Sequence, residues 1–258
     1  MAYVLAEVRT ENLSDLKTYQ PELAAAFRGQ FPIQRALVTA RIIASSGGIP
    51  TVEPEQESAW EFATPDNGVA LIIRPQGFVL HATTYKDHAE FLGRFHDALT
   101  LVAAKVPSIF VNRIGLRYVD FIIPRAGETP EAYVDSRLNP YIPIPAATGT
   151  AMAMSLTAYP MPNGRLTLRY IRGAGQPQLP PDLATIALAK SPLMEAIDVA
   201  ITQTTAIMDI DRTREFGTRE PLNPAAIRME FQLIRDEISH LFKEILITKH
   251  ARQAWGAV

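Results

Sequence analysis

Apolar and polar positions alternate most persistently near the middle of the chain. In residues 113–122, RIGLRYVDFI, apolar side chains fill Ile114, Leu116 and Tyr118 and, after a slip of phase at Val119, Phe121 and Ile122. Arg113, Arg117 and Asp120 are threaded among them. A strand this apolar that still carries charge is predicted to be covered on both faces, with its charges paired or beside a cleft.

The pattern before this strand predicts a first strand at residues 3–8 and helix over 13–31 in two pieces, Pro21 opening the second. A β-branched strand follows at 34–45, then a Gly-rich link at 46–48 and an acidic loop at 50–57. Strands at 58–63, 69–74 and 78–85 form a meander, with the Pro65-Asp66-Asn67-Gly68 turn suited to positive φ. Asp87 and Glu90 read as a capping box for a helix whose stripe is Phe91, Leu92, Phe95, Leu99 and Val102.

After the central strand the pattern predicts a short helix at 129–138, an extended proline-rich run at 139–147 and strands at 150–159, 165–171 and 204–212. Weak helical pieces at 182–199 precede the last of these. Pro224 opens the longest helix, with a buried stripe of Ile227, Phe231, Ile234, Ile238, Leu241, Phe242 and Ile245. Its outer face takes charged residues, Glu230, Arg235 and Glu237 among them. The fold class is α+β, antiparallel sheets packed against helices. Both halves run strand, helix, meander, closing helix, so a tandem duplication is expected: one unit at 1–106 and a second, tightly packed on it, at 107–258.

Composition narrows the function. The 258 residues are 47% hydrophobic and 20% charged with a net charge of -2, so no basic field advertises nucleic acid or anionic lipid. There is no cysteine, which removes disulfides and thiolate chemistry and suits the cytoplasm. No segment reads as a signal peptide or a membrane span.

Several of these residues together resemble a known family. They are Trp60-Glu61-Phe62 before a turn, Tyr85 leading to Phe91, the central Arg113-Ile114-Gly115-Leu116-Arg117-Tyr118, then Met208-Asp209-Ile210-Asp211, and an ending of His240, Phe242, Ile247-Thr248 and Trp255-Gly256. The chain resembles a sporadically distributed family of uncharacterised bacterial and archaeal proteins that recur as orphan genes. The resemblance implies no assigned activity and no accepted catalytic residues. The scattered distribution implies mobile genes, often defence or toxin–antitoxin loci. Members often carry a short Pro- and Asn-containing lead before the first strand, which here begins almost at Met1.

Three patterns bear on chemistry. Asp209 and Asp211, D-x-D on a strand, share a face where two carboxylates could hold Mg²⁺ or Ca²⁺, but no wider ligand pattern surrounds them. Arg113 and Arg117 share a face about 13 Å apart, able to line one groove with Tyr118 against an anion; pairing with Asp209, Asp211 or Glu7 is the plainer alternative. Tyr141, Ile142, Ile144, Met152 and Met154 make an apolar surface fit for core or for a partner. The five histidines, His81, His88, His96, His240 and His250, read as ordinary surface residues. No nucleophile elbow or phosphate-cradling loop is present. The sequence therefore favours a non-catalytic binding or regulatory protein without cofactor, its partner a second copy or a neighbouring gene's product. A nucleic-acid or nucleotide binder using Arg113, Arg117 and Tyr118 comes next, and a metal-dependent hydrolase using Asp209 and Asp211 last.

Overall fold

A computed structural model describes residues 1–13, 15–43, 51–139, 152–174, 179–183, 188 and 204–256, with the backbone alone at 38–43, 51–58, 174 and 181. The alternating stretches become strands β1 (Tyr3–Thr10), β2 (Ile33–Ile43), β3 (Thr51–Ala63), β4 (Val69–Arg74), β5 (Gly77–Ala82), β6 (Phe110–Ile122), β7 (Ala153–Met161), β8 (Gly164–Ala174) and β9 (Thr204–Pro221). They join one antiparallel sheet in the order β2-β3-β4-β5-β1-β6-β9-β8-β7. The helices are α1 (Leu16–Phe27), α2 (His88–Lys105), α3 (Pro224–Leu241) and α4 (Lys249–Trp255). The chain is thus α+β, as its periodicities require. Among the described residues no helix is long and apolar enough to cross a membrane.

β6 lies inside the sheet, hydrogen-bonded to β1 on one side and β9 on the other. From Arg113 to Ile122 its alternation is unbroken, the one irregularity lying earlier, between Val111 and Arg113, so the expected slip at Val119 does not occur. Ile114, Leu116, Tyr118 and Ile122 face the main core under the helices. Val119 and Phe121 pack on the opposite face with Tyr3, Ile207 and Leu183. The apparent slip came from reading one buried face where there are two.

The helices cover one face. α2 buries the expected stripe, and its N-terminus is capped by Asp87, whose side chain accepts from the Glu90 amide at 2.9 Å. The Glu90 carboxylate takes Arg94 instead of closing the capping box. α2 and α3 meet where Phe95 and Phe231 pack at 5.6 Å between ring centroids. Arg212, fully buried on β9, donates to Glu237 of α3 at 2.8 Å, so the exposed Glu237 also reaches back to the sheet. Past Leu241 a π-turn at Phe242–Leu246 shifts the phase and leaves Ile245 exposed, outside the stripe expected for it.

Other expectations are corrected. α1 is one helix with Pro21 inside it, since a proline this near the start forfeits a single backbone bond. The acidic 50–57 stretch is mostly the first part of β3. There, among the described residues, β2 alone pairs, because β4 pairs only from Trp60 onward, so Pro54 need donate to no second described strand. Residues 129–138 form two 3₁₀ turns, Pro130–Ala132 and Ser136–Leu138, not a helix. β9 continues nine residues past Arg212, to Pro221, where a turn was expected. The 46–48 link, residues 140–147 of the proline-rich run and most of 182–199 lie outside the described residues.

Candidate functional site

The face of the sheet turned away from the helices carries the charged residues singled out above. Odd positions of β1 and β6 point there: Glu7 and Arg9 from β1, Arg113 and Arg117 from β6. Asp209 and Asp211 reach it from β9, Arg169 from β8. Glu7, only 9% exposed, accepts from Arg113 at 2.6 Å, from Arg9 at 3.1 Å and from Arg74. Burial pushes the Glu7 carboxyl up, but the three arginines, Arg113 first, outweigh it and hold the group below its ordinary range. Arg117 grips Asp209 through two bonds, 2.8 and 2.7 Å, and Asp182 through a third at 2.6 Å. Arg169 donates to the same two carboxylates at 2.7 and 3.3 Å. Burial opposes the charge on Arg117, and the bonds to Asp209 and Asp182 overcome that and hold it protonated. The bond to Arg117 likewise holds Asp182 below its ordinary range.

Asp211 stands apart. It pairs in register with Arg117 of β6 and Thr167 of β8, and its carboxylate makes no hydrogen bond among the described residues. Burial raises its pKa, Arg117 partly offsets this, and the charge of Asp209 adds to it. The ionised form therefore costs stability, a cost complete above the folded value and absent below the ordinary value of 3.8. Asp211→Asn is expected to stabilise the fold by on the order of 1 kcal/mol at neutral pH. The gain should vanish as pH falls through that window, read by thermal melts of both proteins across pH. A metal site would predict the reverse, loss of a bound ion and of its stabilisation. Among the described residues no group of three or more acidic or histidine ligands is assembled.

The structure brings Arg117 and Asp209 together, and Arg113 with Glu7. It does not bring Tyr118 to them. Tyr118 follows Arg117 on a strand, so it faces the helices, where it meets Tyr85 at 6.0 Å between rings. The groove expected to hold Arg113, Arg117 and Tyr118 on one side does not form, because adjacent strand residues point to opposite faces.

Sequence reasoning missed two features. His81 is not a surface histidine but lies 1% exposed on β5. Its Nδ1 is 3.2 Å from the Tyr3 hydroxyl and its Nε2 is 3.7 Å from Glu61, which accepts from Arg35 at 2.6 Å. The partners come from three other strands, and only the apolar neighbours of His81 hinted at burial. The second feature is the outer edge of the sheet. No charged residue occurs between Arg137 and Arg165. Within that span β7 pairs with β8 on one side and, among the described residues, with no strand on the other. Met152, Met154, Leu156 and Tyr159 are 80%, 59%, 55% and 45% exposed. Met154 and Leu156 share the sheet face turned away from the helices, whereas Tyr159 lines a hollow on the helix side with Leu166, Leu241 and Ile245. The rest of the apolar surface proposed with Met152 and Met154 (Tyr141, Ile142 and Ile144) lies outside the described residues.

No protein-family model, no curated protein and no solved structure matches the chain.

Proposed function

We propose that this is a non-catalytic binding protein of the cytoplasm that acts by protein–protein association through the β7 edge, with a second copy of the chain as the first partner and a neighbouring gene's product as the other. The carrying observation is the edge itself: a nine-residue strand with no charge, paired on its outer side with no strand among the described residues, exposing Met154, Leu156 and Tyr159. Sheet edges that stay single are commonly blunted by lysine, proline or a bulge. β7 has only Pro160, near its end. An antiparallel pairing of two β7 strands about a two-fold axis sets no like charges against each other and buries the same apolar residues twice. The ionic face supports the reading indirectly, because Arg113 and Arg117, the residues a polyanion binder would offer, are engaged by carboxylates.

We also propose that the halves, 1–106 and 107–258, are duplicated units. Four strands of each half occupy corresponding places, β3-β4-β5-β1 in one and β7-β8-β9-β6 in the other, reading toward the centre, with β2 an additional strand outside β3. The turns Asn67-Gly68 and Asn163-Gly164 match, with φ of 55° and 54° at the asparagines. Buried Phe91, Phe95, Ala98 and Val102 stand at the same distances from cap Asp87 as buried Ile227, Phe231, Ile234 and Ile238 from cap Asn223. Placement in a defence-associated locus rests on the family resemblance alone.

Sedimentation velocity over a range of concentrations tests the association. The wild-type chain is expected to dimerise, and Leu156→Lys to raise the dimer dissociation constant at least about tenfold, since a cation would be buried near its own copy. Circular dichroism of that variant should be unchanged. A chain that stays monomeric and pulls down no adjacent gene product when co-expressed would remove the proposal.

A further inference from the structure

Beneath α3, on the face opposite the ionic array, lies a cavity of about 580 Å³, a size typical of small-ligand pockets. Its floor is Tyr118 of β6 and Ile210 of β9. Its roof is Arg235, Ile238 and Ser239 of α3, and Phe242 and Trp255 form one wall. The wall is rigid: Phe242 stacks on Trp255 at 6.4 Å and 14°, and Tyr133 packs against the same indole at 5.4 Å.

The cavity has a polar end and an apolar end. At the polar end the Tyr85 and Tyr118 hydroxyls face each other, and the Arg235 charge acts on both. The Tyr118 hydroxyl is fully buried, and the neighbouring Tyr85 hydroxyl, poorly aligned with it, is the one described group that approaches it. Buried hydroxyls so weakly engaged commonly take a ligand or water. Arg235 uses NH1 on Asp236 at 2.9 Å and bonds no described residue through its other nitrogens. Asp120, the one acidic group lining the cavity among the described residues, is already paired with the Met1 amine at 3.0 Å. The local balance therefore leaves a free guanidinium edge and hydroxyl donors. At the other end Ile210, Ile238, Phe242 and Trp255 offer only apolar surface. The duplicated-helix alignment sharpens the point: the position of Arg235 in α3 corresponds to Leu99 in α2, which is buried in core.

We propose that this cavity binds a small amphipathic carboxylate, its head on Arg235 and the two tyrosine hydroxyls and its apolar body along Ile210, Ile238, Phe242 and Trp255. The inference is independent of dimerisation, because the cavity lies under α3 and not at β7.

Trp60 and Trp255 are the two tryptophans, so Trp60→Phe leaves an emission signal from the cavity wall. In that background, decanoate below its micelle concentration is expected to give a saturable change in Trp255 emission, with a matching single-site isotherm by calorimetry. Decylamine, with the same tail and opposite charge, should bind at least tenfold more weakly. Arg235→Leu should weaken decanoate at least tenfold while leaving decanol unchanged, which separates head from tail. Arg235 is on the helix surface side of the cavity and partly exposed, so its removal should leave the helical spectrum intact. Ser239→Trp, which fills the cavity, should abolish both ligands. The monomeric Leu156→Lys variant should bind decanoate like the wild type. Absence of a saturable response to decanoate, equal binding of decylamine, or unchanged decanoate affinity in Arg235→Leu would each overturn the proposal.

Discussion

Arg117→Met is expected to destabilise the fold by about 3 kcal/mol, the cost of leaving a buried charge short of its partner. Methionine keeps much of the apolar stem and removes only the guanidinium. Asp209 is 3% exposed and would lose both bonds of its bidentate partner, retaining Arg169 alone. That remaining contact sets the cost near the low end of the usual range for a broken buried pair. Asp182, about half exposed, would simply return to water. The melting temperature should fall by roughly 6–12 °C for a chain of this size. Arg113→Met is the control: Glu7 keeps Arg9 and Arg74, so the loss should be well under half as large. Added salt should change the Arg117 result little, since the pair is screened from solvent. An Arg117→Met protein that melts with the wild type while losing affinity for nucleotide or nucleic acid would show that the arginine serves a ligand instead.

That contrast also shows what the sequence could carry. The arginines and aspartates were legible as residues of one face, because strand alternation is local and has a period of two. Their pairing was legible only as one alternative, since it depends on β6 lying beside β9, a contact between residues about 90 apart. Tyr118 was placed with Arg117 by adjacency in sequence, when the same alternation sends neighbours to opposite faces. Helix positions were read well where a stripe and a cap coincide, as in α2. They were misread where a local rule competes with tertiary context: Pro21 inside α1, Pro54 inside β3, the π-turn that displaces Ile245. The β7 edge could not have been recognised, because the same alternation of Met152, Met154, Leu156 and Ala158 describes a buried strand equally well. Exposure there is set by which strand ends the sheet, and no local pattern encodes that. Gly164 shows the opposite case. Its φ of +150° and the 2.1 Å that would separate an added Cβ from the Thr213 carbonyl make glycine obligatory, and the turn is visible in the sequence.

Phe231→Ala should cost about 4 kcal/mol and lower the melting temperature by roughly 8 °C or more, and its effect should reach both halves of the chain. Phe231 is 1% exposed and packs on Phe95, so the truncation opens a hole between the two closing helices. The consequence depends on how the halves are joined. β1 and β6 pair from Tyr3 against Val119 to Thr10 against Val111, making the sheet continuous across the boundary at residue 106. Separating the halves would strip those backbone bonds and expose Val4, Ala6, Ile114 and Leu116 at once, so neither half should survive the loss of the other. Trp60 reports on β3 in the first half and Trp255 on α4 in the second. In single-tryptophan variants the two emission changes should coincide on heating, and Phe231→Ala should move both midpoints by the same amount. A shift confined to Trp255, with Trp60 unfolding at its wild-type temperature, would mean that the two halves fold separately and that the β1–β6 ladder joins them without coupling them.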